Sequence, residues 1–63
     1  NSYENIAAEF VQKEKFNKAY QWYRKAEKKL KSLRDLDFEN GVLYDQQLKI
    51  LRQKRDYTEG QME

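Results

Sequence analysis

The sequence predicts an all-α protein, an antiparallel helical hairpin followed by a third helix. The chain of 63 residues contains no Pro and only two Gly, so little in its composition interrupts a helix. Between Phe16 and Leu33, apolar residues recur at steps of three and four, which is the period of one helical face. One Trp, five Tyr and three Phe supply the bulk for a small core. A chain of this length forms one domain at most.

The first helix is expected over residues 3–13. Ser2 precedes it as a candidate N-cap, because its hydroxyl can accept a hydrogen bond from a free backbone N–H. The apolar stripe of this helix consists of Tyr3, Ile6, Ala7, Phe10 and Val11. A turn at Glu14 then leads into the second helix. Gly would suit that turn better, because it adopts the left-handed conformation at little cost.

The second helix is expected over residues 16–33 and carries the strongest periodicity of the chain. Its apolar stripe consists of Phe16, Ala19, Tyr20, Tyr23, Ala26, Leu30 and Leu33. Ala19 and Ala26 lie between aromatic residues on this stripe. Small residues at such positions let a neighbouring helix approach closely, so we expect the tightest helix contacts there.

A polar linker containing Asp35 and Asp37 separates the second helix from a third, expected over residues 39–55. The third helix has a broader and less regular apolar stripe. We expect the chain to turn again near Asp56 and a fourth helix to begin over residues 57–63.

Charge is concentrated in the middle of the chain, although the net charge is only +2. Residues 12–34 hold nine Lys or Arg and two acids. A basic helix face of this kind can attract phosphate groups. The lysines lie opposite the aromatic stripe, however, where any water-soluble helix is polar, and positive charge near a helix C-terminus is favourable. This pattern disfavours nucleic acid as the partner.

Residues for catalysis or metal binding are scarce. The chain has no His and no Cys, and its few hydroxyl residues lie in no nucleophile motif. Asp35, Asp37 and Glu39 alternate as in a calcium loop, but Asn40 and Gln46 stand where such a loop needs Gly and Glu. We therefore predict no enzyme activity, no cofactor and no metal site. No apolar run is long enough for membrane insertion, and the absence of Cys and of a signal-like segment favours an intracellular, cytoplasmic or nuclear location.

The aromatic and small residues follow a known order. Tyr3, Ile6, Ala7, Phe10, Phe16, Ala19, Tyr23 and Ala26 occupy the signature positions of one helical repeat. In this respect the chain resembles the tetratricopeptide repeat (TPR) family. The match covers about residues 2–33, and a partial, divergent second repeat follows. Glu14 and Lys31 replace the usual Gly and Pro. The resemblance implies a fragment of a larger α-solenoid that serves as a protein–protein interaction module or scaffold.

TPR proteins commonly hold a peptide or partner helix in a groove lined by the first helix of each repeat. Carried over by position, the groove residues are Glu4, Ala8, Val11, Gln12, Asp45, Lys49, Arg52 and Gln53. Lys49 and Arg52 suit an acidic partner segment. The clamp that grips chaperone tails is absent, because Glu4 and Ala8 stand at its Lys and Asn positions. Trp22 is a further candidate for partner binding, or else it closes the edge of the core.

Three alternatives stay open at this point. Small three-helix trafficking-type (MIT-like) modules that bind peptides share the spacing of aromatic residues and alanine, although their first helix is longer. A basic helical segment that binds nucleic acid is the second alternative. The third is a structural piece of a solenoid, which would associate with itself or its neighbours through exposed helix faces.

Overall fold

The computed structural model describes residues 2–62 and contains three α-helices within that range. Helix α1 spans Ser2–Gln12, α2 spans Phe16–Leu36 and α3 spans Gly41–Gln61. A short 3-10 turn, Phe38–Asn40, joins α2 to α3. Helix α2 packs against both α1 and α3. The all-α prediction is confirmed.

Both helix pairs are antiparallel. Between α2 and α3, Arg34 bonds to Asp45 near the connection, and Arg55 bonds to Glu27 farther from it. Between α1 and α2, the ring of Tyr3 lies against Trp22. Helices α1 and α3 therefore run parallel to each other, on neighbouring sides of α2.

The turn between α1 and α2 is a Schellman motif formed without glycine. Glu14 has a φ of 59°, in the left-handed region. Its N–H donates to the carbonyl of Val11 at 3.0 Å, and the N–H of Lys15 donates to the carbonyl of Phe10 at 2.8 Å. These two bonds satisfy carbonyl groups that the helix end would otherwise leave free. The turn predicted at Glu14 is therefore present, and Glu14 adopts the left-handed conformation there.

The core lies where both neighbours meet α2. Ala7, Ala19 and Ala26 are completely inaccessible to solvent, which shows how closely the helix backbones approach. The larger buried residues that fill the space around them are Tyr23, Leu30, Leu48 and Leu51. Thr58 is also fully buried, and its hydroxyl donates to the Lys54 carbonyl at 2.8 Å.

The predicted break in the third helix is wrong. Helix α3 continues through Asp56 to Gln61, so no fourth helix begins at residue 57 within the described chain, and Glu63 lies outside it. The reason is tertiary: Arg55 bonds to Glu27 of α2 and Thr58 is buried, so contacts on both sides of Asp56 hold the helix together. Helix α2 likewise ends at Leu36 rather than Leu33.

The three helices differ in length. Helix α1 has 11 residues, whereas α2 and α3 have 21 each. At a rise of 1.5 Å per residue, α1 is about 16 Å long and the hairpin of α2 and α3 is about 31 Å long. Helix α1 therefore covers only about half of the hairpin.

Candidate protein-interaction groove

A groove runs between α1 and α3, with α2 as its floor. It contains a concavity of about 350 Å³. The residues that line it are Ala8 and Val11 of α1, Tyr23 of α2, and Gln53, Lys54, Tyr57 and Thr58 of α3. The first and third helices thus form the two walls.

Helix periodicity explains which side chains form the walls. On α1, the fully buried Ala7 faces α2, and Ala8 and Val11 lie on the adjoining face that turns toward α3. On α3, Gln53 and Tyr57 are four residues apart and share one face. Tyr57 remains 61% exposed there, although its ring is apolar.

An ion pair closes the groove at the beginning of α1. The Lys54 ammonium of α3 donates to the Glu4 carboxylate of α1. Both side chains stay partly in contact with water, so this pair contributes at most about 1 kcal/mol to stability. It joins the two walls of the groove.

The hydroxyl of Tyr23 lies in the floor of the groove. Burial raises the pKa of this phenol above its ordinary value, Lys54 lowers it and Glu4 raises it, and the net shift is upward. The hydroxyl therefore stays protonated to a higher pH than an ordinary phenol does.

Three of the predicted groove residues lie together in the lining: Ala8, Val11 and Gln53. Glu4 lies at the end of the groove, where it pairs with Lys54. Gln12, the last residue of α1, is exposed and lies outside the lining.

Of the four α3 residues predicted for the groove, Gln53 lies in this lining and the other three lie outside it. The Asp45 carboxylate accepts a hydrogen bond from Arg34 of α2 at 2.7 Å, and this contact raises the pKa of Arg34. Lys49 and Arg52 are exposed and lie outside the lining. These positions were transferred to α3 from a stretched, divergent second repeat, whereas in the structure the face of α3 that carries Lys54 turns toward α1.

Tyr57 and Lys54 line the groove but were not predicted from the sequence. Tyr57 was predicted to lie in a fourth helix. Because α3 continues to Gln61, Tyr57 instead shares a helix face with Gln53, four residues earlier. Lys54 is three residues before Tyr57, so a continuous helix would have indicated both.

Trp22 lies away from the groove, at the edge of the core. It is half-buried and packs against the core, with its ring centroid 5.6 Å from that of Tyr3. The Lys25 ammonium lies 4.3 Å from the Trp22 ring centroid, so its stem and charge cover the ring. This geometry favours a role at the core edge for Trp22.

The most buried charge in the described chain belongs to a pair on the other side of α2. Glu27 is 5% exposed and accepts a hydrogen bond from the Arg55 guanidinium at 2.9 Å. The second carboxylate oxygen of Glu27 and the Nε of Arg55 have no partner among residues 2–62. The pair joins α2 to α3 across the core.

Residues 2–62 contain neither a cluster of metal-binding side chains nor a helix that could cross a membrane. No group of three or more Asp or Glu side chains in this range is placed to hold a metal ion. None of the helices in the same range is long and apolar enough to cross a membrane.

Comparison with family models, with curated proteins and with solved structures found no match to this chain. The resemblance to the TPR family stays a prediction that rests on the residues named above.

Proposed function

We propose that this chain is a protein–protein interaction module and that it holds a peptide or helix of its partner in the groove between α1 and α3. The observation that supports this most is the apolar concavity between these helices. Val11 and Tyr57 stand on its opposite walls, and Tyr23 forms its floor. Such a role requires no catalytic residue and relies on a surface that is already shaped before binding.

The size of the concavity indicates which part of a partner it can hold. About 350 Å³ lies at the lower end of the range for ligand pockets. It suits one or two apolar side chains of a partner rather than a whole folded surface. Tyr57 is the natural anchor, since tyrosine buries a large ring and has a hydroxyl for a hydrogen bond. Gln53 offers an amide donor and acceptor beside it.

In this proposal the chain is a TPR-like segment of a larger helical array, with an intracellular, cytoplasmic or nuclear location. The antiparallel hairpin and the third helix that lines a groove with the first are the features that support it. A three-helix trafficking-type module would use the same kind of groove, so the experiment below addresses both.

The experiment is affinity capture from nuclease-treated lysate, followed by binding of the captured protein in purified form. We expect Tyr57→Ala and Val11→Lys to abolish binding, because they remove an anchor and place a charge in an apolar wall. Arg52→Ala is the matched control, since Arg52 is exposed on the same helix outside the groove. Equal binding by the Tyr57→Ala protein would contradict the proposal. Capture seen only from a parallel lysate without nuclease treatment would favour nucleic-acid binding instead.

A further inference from the structure

A second apolar surface lies where α1 begins and the hairpin of α2 and α3 continues without it. Two contacts locate the beginning of α1. The Lys29 ammonium of α2 lies 5.1 Å from the ring centroid of Tyr3, and Lys54 of α3 pairs with Glu4. Beyond Lys29, α2 continues for seven residues to Leu36. On α3, the residues between Gly41 and Lys54 likewise lie beyond the beginning of α1.

Helix register identifies the side chains that continue the face covered by α1. On α2, Leu33 and Leu36 are four and seven residues after Lys29. On α3, Ile50 is four residues before Lys54, and Leu43 is a further seven before Ile50. We call these four residues, Leu33, Leu36, Leu43 and Ile50, the bare seam.

All four residues of the bare seam are large, apolar and exposed. Their exposed fractions are 37% for Leu33, 84% for Leu36, 56% for Leu43 and 50% for Ile50. Single exposed apolar residues are normal, but several on one continuous face mark an interaction surface. In the other half of the hairpin, α1 covers the equivalent face.

Positive charge beside the beginning of α1 indicates what kind of partner the bare seam would bind. A concavity of about 300 Å³ lies there, lined by Tyr3, Lys25, Lys28, Lys29 and Ser32. None of the three lysines forms an ion pair with another residue in the range 2–62. The end of the bare seam next to α1 is therefore strongly positive, and it favours a partner with acidic side chains.

Helix α1 shows which chemistry fits this face. It is a short helix with an apolar stripe, and its charged residues, Glu4 and Glu9, are both acidic. Glu4 pairs with a lysine of the hairpin, and Tyr3 lies beneath another. An occupant of the bare seam would meet leucine and isoleucine on its inner side and lysines at one end.

We propose that the bare seam binds an amphipathic helix of another protein, placed end to end with α1. The apolar face of that helix lies on Leu33, Leu36, Leu43 and Ile50, and its acidic side chains lie against Lys25, Lys28 and Lys29. About three turns of helix fill the space, which is the length of α1 itself. This site is separate from the groove between α1 and α3, so either can fail without the other.

The test uses a fluorescent synthetic helix as the probe, of about the length of α1, with leucines on one face and glutamates at one end. Binding is followed by anisotropy. We expect Leu43→Glu and Ile50→Glu to weaken binding on the order of tenfold or more, because each places a carboxylate on the apolar seam. Lys28→Gln should weaken it severalfold and reduce its dependence on salt.

Two controls separate this site from others. Lys49→Gln makes the same one-unit change in net charge as Ile50→Glu, and Lys49 lies on α3 away from the seam, so this variant should bind normally. Tyr57→Ala alters the wall of the other groove, two helical turns along α3 from Ile50, and should also bind normally. Circular dichroism checks that each variant stays folded. If Ile50→Glu unfolds the chain, Leu36→Glu replaces it, since Leu36 is 84% exposed.

Five outcomes would overturn the proposal. The first is no binding of the probe, and the second is equal binding of a version with lysines in place of the glutamates. The third is that Tyr57→Ala loses binding of the probe whereas Ile50→Glu binds it normally. The fourth is a dimer that Ile50→Glu dissociates while the probe does not bind, which would assign the seam to a second copy of the chain. Binding of a single-stranded oligonucleotide instead of the probe, unaffected by Ile50→Glu, would likewise assign the lysines to nucleic acid.

Discussion

Glu14 occupies a backbone conformation that favours glycine, and replacing it should stabilise the protein. Its φ of 59° lies in the left-handed region, at the residue that closes the Schellman motif after α1. A side chain with a Cβ is strained there, whereas glycine is not. The change Glu14→Gly therefore removes strain and leaves both hydrogen bonds of the motif in place.

Two opposing terms set the size of the effect. The left-handed conformation costs a residue with a Cβ about 1–2 kcal/mol. Glycine loses more backbone entropy on folding, which costs about 0.5–1 kcal/mol. The difference is a gain of roughly 0.5–1 kcal/mol in the free energy of unfolding. Charge contributes little, because Glu14 lies between the negative end of α1 and the positive end of α2.

Thermal unfolding followed by circular dichroism measures this gain. For a domain of this size, 1 kcal/mol shifts the Tm by about 4–8 °C, so we expect Glu14→Gly to raise it by roughly 2–8 °C. Glu14→Gln is the control, since it removes the charge and retains the strain, and its Tm should match that of the parent. A Tm for Glu14→Gly equal to or below that of the parent would refute the argument that the turn is strained.

Two further predictions concern buried polar groups. Arg55→Met should lower the free energy of unfolding by about 2–3 kcal/mol, because it leaves the Glu27 carboxylate buried without its partner while the site keeps some access to water. The double change Glu27→Leu with Arg55→Met should recover most of that loss in urea unfolding, and a double variant less stable than the single one would contradict this. Because burial raises the pKa of Tyr23 in the folded state, its contribution to stability is present below the ordinary phenol pKa of about 10 and is lost as pH rises through the raised value. The Tm of the parent should therefore fall relative to that of Tyr23→Phe as pH rises above about 10, and a constant difference would show that burial does not shift this group.

Much of the α1–α2 hairpin could be predicted because its signals are local. The stripe of α2 has an unbroken helical period, and Ala19 and Ala26 lie where the helices come closest. The turn at Glu14 was predicted from the sequence as a position that suits glycine, and Glu14 has the positive φ that explains this preference. The groove residues of α1 were carried over from the resemblance to the TPR family, and two of them, Ala8 and Val11, lie in the lining near the buried Ala7.

The course of α3 could not be predicted in the same way. Its apolar residues lie on two faces: Leu48 and Leu51 are buried, whereas Leu43 and Ile50 are exposed. The sequence of one chain does not show which set faces the core, and three residues predicted for the second wall, Asp45, Lys49 and Arg52, lie outside the lining. The continuation past Asp56 depends on a contact between Arg55 and α2 that is distant in sequence.

The mismatch in helix length connects these observations. A hairpin of two 21-residue helices exposes one long face, and an 11-residue helix covers part of it. Where α1 is present, its second side forms a groove with α3. Where α1 is absent, Leu43 and Ile50 stay exposed beside a cluster of lysines without ion pairs among the described residues. Both candidate surfaces therefore result from one feature, a first helix that is too short for the hairpin on which it lies.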